Sequence, residues 1–318
     1  MKGFFQNMNL TNQYIVNPKS VDAYLTSLAS YKAIHPSSAK LRLGEDRQIL
    51  NDKKKYKIFR LEDITFKMIR CPRGIFTKGS DIEEYRNPKK TVSINKPFLL
   101  GETEVTQELF EKVMGFNPSS YQGEGYQNSN KRPVENVTWY DAVMFCNKLS
   151  EIMGKKPYYN IINETYGQAA ESENIKDAIV TINPHSNGFR LPFEEEWEYA
   201  AKAGTNNQWA GTNDKNKVGE VAWFIDNSTI INKIHQPHLG THPIKCKRPN
   251  EWGFYDMSGN VCEWCWDEHY ESSSVHRAVR GGYWYDDASI LRSAVRFTHS
   301  PDYRNRILGF RVSASLFN

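Results

Sequence analysis

The sequence predicts an α+β fold in which short helices surround small, twisted antiparallel sheets and many residues lie in loops. Two observations support this class. Three short amphipathic segments have recognisable helix starts and stops, and the apolar stretches between them are long enough only for short strands. After Gly204 the chain continues with short strands, aromatic residues and turns, and no further long helix is indicated.

Composition places the chain among globular proteins. It has 318 residues, of which 25% are charged and 39% hydrophobic. The net charge of +4 is spread along the chain, unlike the basic stripe of a nucleic-acid-binding protein, so we expect no nucleic-acid partner. We also expect no membrane span, because no apolar run reaches 18 residues, and the first residues lack the apolar core of a signal peptide.

We divide the chain into residues 1–55, an N-terminal extension or small accessory segment, and residues 56–318, the main domain. Residues 20–33 can form a short amphipathic helix, but no motif in the first segment indicates chemistry. In the main domain, residues 66–80 predict a strand, a turn and a second strand. Residues 96–101 predict a further strand.

The first two predicted helices are marked by their caps. Thr106 is suited to cap a helix over residues 107–114, which Gly115 ends. Thr138 and Asp141 fit a capping box in which Asp replaces the usual Glu, and apolar residues then recur at helical spacing.

A third helix is predicted after Pro192. Its three glutamates at 194–196 suit the positive end of the helix dipole, and Gly204 ends it. The polar residues 160–188 that precede this helix predict an insertion or a long loop.

The cysteines indicate buried thiols rather than disulfide or metal chemistry. Their odd number excludes a complete disulfide framework. Cys262 and Cys265 have the spacing of a metal or redox pair, but no second pair accompanies them. The five cysteines are Cys71, Cys146, Cys246, Cys262 and Cys265.

The C-terminal stretch has an unusual composition. Lys, Glu, Gln and Met together account for 64 of the 318 residues, yet none falls within the 36 residues from 280 to 315. Uniform composition would place about seven there. The stretch is rich instead in Tyr, Asp, Ser, Arg, Ile, Val, Phe, Thr, His and Asn, which can all be encoded by codons ending in a pyrimidine, as expected if adenines of asparagine codons were randomised. A fixed framework interleaved with a restricted alphabet suggests a diversified binding surface.

The alternative is a buried C-terminal strand pair, which would also be poor in Lys and Glu because such residues are costly to bury. That alternative does not explain why the stretch contains Asp286, Asp287, His299, Asp302 and Arg306.

Several motifs together resemble the formylglycine-generating-enzyme, or sulfatase-modifying factor, domain, which has a C-type-lectin-like fold. The resemblance covers residues 60–315, with local departures at Phe193, where Thr usually caps the helix, and at Cys262, where Trp is usual. The motifs are GETEVT at 101–106, PVENVTWYDA at 133–142, GFRLPFEEEWEYAA at 188–201, GFYDMSGNVCEW at 253–264, RGG at 280–282 and GFR at 309–311.

The resemblance implies a fold more securely than an activity. The enzyme binds copper through two cysteines that follow the Gly-Gly motif, whereas this chain has no cysteine after Cys265. The related sulfoxide synthases use an iron motif, His-x-x-x-His-x-Glu. Here His235 and His238 have the wrong spacing and enclose a proline.

The layout of residues 280–312 resembles the variable region of proteins diversified by retroelements, in particular those of the Treponema variable-protein type. The resemblance implies that Trp284, Leu291, Arg292 and Arg296 form the scaffold of the site, with Ala294 also holding the loops. The implied diversified, ligand-binding positions are Tyr283, Tyr285, Asp286, Asp287, Ser289, Ile290, Val295, Phe297, Thr298, His299, Ser300, Tyr303, Asn305, Arg306 and Ile307.

The resemblance further implies a structural calcium site formed by the side chains of Asp256 and Glu263 and the carbonyls of Gly259 and Val261, since oxygen ligands in a tight turn suit calcium. The alternative is that Asn260 and Glu263 only stabilise the turn. No cofactor is otherwise expected.

The resulting hypothesis is a monomeric, non-enzymatic protein that binds a protein or cell-surface ligand through its variable segment, residues 280–312. Relatives are commonly displayed on a surface, but the sequence leaves the cellular location open. Two alternatives are an enzyme acting through His299 with Asp286 or Asp302, and a binding module without diversification.

Overall fold

The computed structural model describes residues 55–82, 87–123, 125–166, 175–231, 237–271 and 274–316. The helix predicted at 20–33, with nearly all of the proposed N-terminal segment, lies outside the described residues. Within them the chain is α+β, with short helices, many strands and long connecting loops, as predicted.

The strands form small sheets of two to five members. In chain order they are β1 (Tyr56–Leu61), β2 (Ile64–Cys71), β3 (Gly74–Lys78), β4 (Lys90–Ile94), β5 (Phe98–Gly101), β6 (Tyr159–Tyr166), β7 (Ile175–Ile182), β8 (Phe189–Arg190), β9 (Thr229–Ile231), β10 (Pro237–Leu239), β11 (Cys262–Glu271), β12 (Ser274–Arg280), β13 (Arg296–His299), β14 (Leu308–Gly309) and β15 (Ser313–Ser315).

The helices begin where their caps predict. In α1 (Gln107–Met114) the Thr106 hydroxyl accepts the Leu109 N–H, and in α2 (Trp139–Ile152) Thr138 and Asp141 form both bonds of the predicted capping box. In α3 (Glu194–Lys202) the N-cap residue is Phe193, whose side chain cannot accept a capping bond. The Asp267 carboxylate accepts the Glu194 N–H instead, at 2.6 Å. The last helix, α4 (Val218–Val221), is a single turn.

The prediction of a loop at 160–188 is wrong, because most of this segment is a β-hairpin of β6 and β7. Successive side chains of each strand point to opposite sides, and one side packs on the larger of the two hydrophobic cores through Ile161 and Val180. Ile162 and Ile179 pair on the other side and stay about half exposed. The many polar residues between these positions concealed the period of two.

The antiparallel five-stranded sheet, in the order β1-β2-β5-β15-β8, separates two cores. Alternate residues of β5 point to opposite faces: Leu99 joins the larger core with α1 and α2, while Phe98 and Leu100 join a second core with Trp197 of α3. The last strand of the chain, β15, lies inside this sheet and hydrogen-bonds to β5 and β8.

A four-stranded sheet, in the order β13-β12-β11-β14, supports the variable segment. The strands β11, β12 and β13 are antiparallel, and β14 runs parallel to β11. Residues on opposite faces of β11 enter different cores, which places the Cys262 thiol in the larger core and the Cys265 thiol in the second. Burial raises the pKa of both thiols well above its ordinary value, so this pair lacks the geometry and the acidity of a metal or redox site.

Among the described residues, no helix has both the length and the apolar composition to cross a bilayer.

Candidate functional site

The variable segment leaves β12 through two glycines that the turn requires. Gly281 has φ of 98° and Gly282 has φ of 69°, in the left-handed region that favours glycine. A Cβ on Gly282 would also approach the Leu291 side chain to 2.6 Å. The Gly-Gly motif therefore brings the following loop back against the body of the domain.

Arg280 anchors this loop from inside the protein. Its guanidinium is fully buried and donates to Glu198 at 2.5 Å and to Glu194 at 3.3 Å, both on α3. The same group donates to the carbonyl oxygens of Ser293 at 2.6 Å and of Ala294 at 3.4 Å. One side chain thus ties the end of β12, helix α3 and the loop together.

Trp284 fixes the first part of the loop. The residue is 4% exposed, and its indole N–H donates to the Arg306 carbonyl at 3.3 Å. Its main-chain N–H donates to Asn260, and its carbonyl accepts the Ser228 hydroxyl at 2.6 Å. These contacts hold the main chain of the loop at Trp284 against the body of the domain.

Leu291 fixes the middle of the loop. It is fully buried in a small cluster with Trp209 and the residues around α4. The Ser258 hydroxyl donates to the Leu291 carbonyl at 2.9 Å. The Arg292 guanidinium lies over the Trp209 ring, 5.2 Å from its centroid, while Arg296 forms an ion pair with α3 at 3.7 Å.

The second half of the segment is held through its main chain. The Pro301 carbonyl accepts the N–H of Trp139, the first residue of α2, at 3.0 Å. The Asn305 carbonyl accepts the N–H of Asn136 at 2.9 Å. The Ile307 carbonyl accepts the Cys262 N–H at 2.8 Å. Because these bonds use backbone atoms of the segment, they do not require a particular side chain at the position that accepts them.

The fifteen implied diversified positions divide by exposure. Three are buried: Tyr283, Val295 and Ile307. Asp287 is exposed. The remaining eleven are partly exposed: Tyr285, Asp286, Ser289, Ile290, Phe297, Thr298, His299, Ser300, Tyr303, Asn305 and Arg306.

Aromatic residues distant in sequence pack around Trp284 beside these positions. Tyr121 packs edge-on against Trp284, with ring centroids 5.8 Å apart, and Tyr126 packs edge-on against Tyr121 at 5.6 Å. The His238 ring lies 5.8 Å from Tyr126, and Tyr285 lies 5.6 Å from Trp284. We call these five residues the aromatic cluster. No sequence pattern indicated Tyr121, Tyr126 or His238, because only the folded chain brings them together beside Trp284.

Among the titratable side chains of the segment whose pKa burial shifts are Asp286 and His299. Burial raises the pKa of Asp286 to about 8, an effect that Asp287 strengthens and that the hydrogen bond from the Tyr283 N–H, at 3.1 Å, opposes. Burial lowers the pKa of His299 to about 4, with a further contribution from His276. At neutral pH both side chains are thus mainly uncharged.

A family model for the "Sulfatase-modifying factor enzyme 1-like domain" matches residues 59–316. The chain belongs to this family. The match covers the variable segment as well as both cores.

Individual relatives of this sulfatase-modifying-factor domain differ in their named roles. The chain is 42% identical over 204 residues to "Chaperone protein LppX" of Paenibacillus barcinonensis, covering 59% of this chain and 69% of that protein. It is 33% identical over 146 residues to the formylglycine-generating enzyme of Streptomyces coelicolor, covering 40% of this chain and 46% of that enzyme. The chain therefore spans less than half of the enzyme's length.

Among solved structures, the domain is similar to Treponema denticola variable protein 1. The two share 36% sequence identity with a TM-score of 0.72, over 82% of this chain and 99% of that protein. The C-type-lectin-like fold predicted for this sulfatase-modifying-factor domain is confirmed.

The structure does not support a catalytic pair of His299 with Asp286 or Asp302. The charged groups that act on the pKa of His299 are His276 and Glu271, and neither aspartate is among them. The Asp286 carboxylate instead accepts a main-chain N–H of its own turn, and Asp302 accepts a hydroxyl two residues before it.

At the calcium site implied by the family resemblance, the Arg311 guanidinium already pairs with one of the proposed ligands, Glu263. The Glu263 carboxylate accepts two bonds from Arg311, at 2.6 and 2.7 Å, and a third from an indole N–H. Asp256 keeps one oxygen without a hydrogen-bond partner among the described residues. Because the guanidinium already neutralises Glu263, the four implied ligands do not fit a calcium ion as one set.

We predict that Arg280→Met lowers the free energy of unfolding by about 3 kcal/mol. The buried carboxylates of Glu194 and Glu198 would lose the guanidinium that they share, although Lys78 and Lys202 still pair with them, and the loop carbonyls would lose their donor. The matched variant Arg296→Met removes a partly exposed ion pair and should lose less than about 1 kcal/mol. Urea denaturation of both variants measures the difference. Equal losses would contradict the anchoring role of Arg280.

We predict that Asp286→Asn stabilises the protein at alkaline pH. The folded state holds the Asp286 proton to about pH 8, against an ordinary pKa of 3.8, so stability falls as pH rises between these values. Asparagine keeps an acceptor for the Tyr283 N–H but cannot ionise. Its melting temperature should exceed that of the wild type by about 2 °C or more near pH 9, and by much less near pH 4. The control is the exposed neighbour, Asp287→Asn, and an equal pH response in both variants would contradict the assignment.

Proposed function

We propose that the protein is a non-enzymatic binding protein whose C-terminal site is diversified by a retroelement on a fixed lectin-like scaffold. One observation carries the proposal: the segment separates a buried, bonded framework from side chains that reach solvent. Arg280, Trp284 and Leu291 form the framework, while twelve of the fifteen restricted-alphabet positions are at least partly exposed. The likeness to the Treponema variable protein supports the same conclusion.

The exposed positions have the chemistry of a combining site. Tyr285, Phe297 and Tyr303 offer large, stiff and amphipathic side chains, which are enriched at binding hot spots. Asp287 and Arg306 add charges of both signs, which set specificity and association rate. We infer that the ligand is a protein or a cell-surface group, large enough to contact several loops at once.

We assign the buried positions a different part in the same function. Tyr283, Val295 and Ile307 are 6%, 3% and 3% exposed, so a ligand cannot contact them in this conformation. Exchange at these positions would alter how the loop packs, and thereby the placement of its exposed neighbours. Variation there should be tolerated less often than variation at solvent-reaching positions.

The non-enzymatic part of the proposal rests on missing chemistry. The chain has no cysteine after Cys265, so the two-thiolate copper site of the family enzyme cannot form in this segment. The perturbed groups, Asp286 and His299, act on separate neighbours rather than on each other. Ligand binding of the proposed kind needs no cofactor.

The proposal predicts that a display library randomised at the twelve solvent-reaching positions stays largely folded and yields binders to several unrelated target proteins. The control library randomises Arg280, Trp284 and Leu291, and most of its members should fail to fold, because core truncations cost about 2–5 kcal/mol each. A conformation-independent tag measures how much of each library is displayed, and thermal challenge measures how much of it is folded. Together they distinguish the two libraries. Loss of folding in the first library, or no binders from it, would contradict the proposal.

A further inference from the structure

A groove lies at one end of the five-stranded sheet, outside the variable segment. It encloses about 1080 Å³ between β2, β5, the end of β8, the start of α3 and the turn at 251–252. None of the fifteen implied diversified positions lines it. The proposed combining site therefore does not account for this concavity.

The walls of the groove are strongly basic. Lys55, Arg73 and Lys96 are exposed on its rim, and Arg70 is partly exposed beside them. Among the described residues, neither Arg73 nor Lys96 forms an ion pair. The acidic lining residue at the rim is Glu251.

Two further charged residues of the groove, Arg190 and Glu196, neutralise each other. The buried Arg190 guanidinium donates to both oxygens of Glu196, each at 2.7 Å. Because this pair is neutral, the rim cations determine the sign of the potential, and the groove attracts anions.

The floor of the groove is apolar. Ile69 and Phe98 are buried beneath it, and Trp252, Phe193 and Leu316 present partly exposed surface. A ligand that fits must therefore combine negative charge with an apolar side chain.

Phe193 replaces the residue type usual in the family and adds apolar surface to the groove. The family usually has a threonine at this position, where it caps α3, and here the residue at this position forms no side-chain capping bond. The Phe193 ring instead lies against the Arg190 guanidinium, 4.9 Å from its centroid, and lines the groove. The side chain at position 193 thus forms an aromatic wall of the groove instead of a capping bond to α3.

We propose that the groove binds an acidic polypeptide segment of a partner protein, with an apolar side chain of that segment seated against Trp252 and Phe193. A concave site with an apolar floor suits a peptide better than a flat membrane surface or a nucleic-acid backbone. The chain's own residues 1–54 carry eight basic and four acidic residues, so their net positive charge disfavours their binding in the same groove.

The test uses the full chain and a fluorescein-labelled twelve-residue peptide of Asp and Glu around a central Phe-Leu pair. Fluorescence anisotropy should show binding that weakens with added salt. Arg73→Glu with Lys96→Glu should weaken it at least about tenfold. The matched control, Lys215→Glu with Lys217→Glu, makes the same charge change at exposed positions of another loop and should change the affinity less than about twofold.

A second variant separates binding from folding. Phe193→Thr restores a capping side chain, so the melting temperature should be unchanged or higher. The same variant should weaken peptide binding about fivefold or more. Replacing the peptide's Phe-Leu pair by Ser-Ser should weaken binding comparably. No binding up to millimolar peptide would overturn the proposal. So would equal effects of the two charge-reversal pairs, or groove-dependent binding of anionic vesicles or duplex DNA that exceeds peptide binding. None of these outcomes bears on the combining site.

Discussion

The fully buried guanidinium of Arg280 joins the end of β12, helix α3 and the loop at residues 293–294. A buried charge is tolerated only when it is paired and hydrogen-bonded, so these three parts can be placed only together. The Glu198 partner extends the constraint, because it also accepts the Gly79 N–H at 2.6 Å and the Asn87 amide at 3.0 Å. The position of the variable segment is thus set by the interior of the domain rather than by its own exposed side chains.

This arrangement explains how one fold can present many surfaces. The framework reaches the segment mainly through main-chain atoms, among them the carbonyls of Asn305, Arg306 and Ile307, which are themselves implied diversified positions. Every residue type has such a carbonyl, so exchange of the side chain leaves the bond in place. Side-chain identity matters instead at Trp284 and Leu291, which fill the space beneath the loop. Combining-site diversity and fold stability therefore depend on different atoms.

The sequence predicted the features that depend on local chemistry. Capping residues located the first two helices, and the motif order identified the family and its fold. The hairpin β6–β7 was missed because polar residues obscure its apolar pattern. The aromatic cluster was missed because Tyr121 contacts Trp284 and His238 only in the folded chain. The protonation of Asp286 could not be predicted from the sequence either, because its pKa depends on burial in the folded chain. The codon pattern located candidate positions but not which of them the fold would bury.

Sequencing this gene from many isolates of one strain distinguishes a diversified segment from a fixed one. If the segment is diversified, substitutions should be confined to the implied positions of residues 283–307, at template adenines. They should be concentrated at the twelve positions that reach solvent, with Arg280, Trp284 and Leu291 unchanged. An adenine-rich near-copy of the segment should lie beside the gene together with a reverse transcriptase. An invariant segment across isolates would contradict the account and leave a fixed binding protein on the same scaffold.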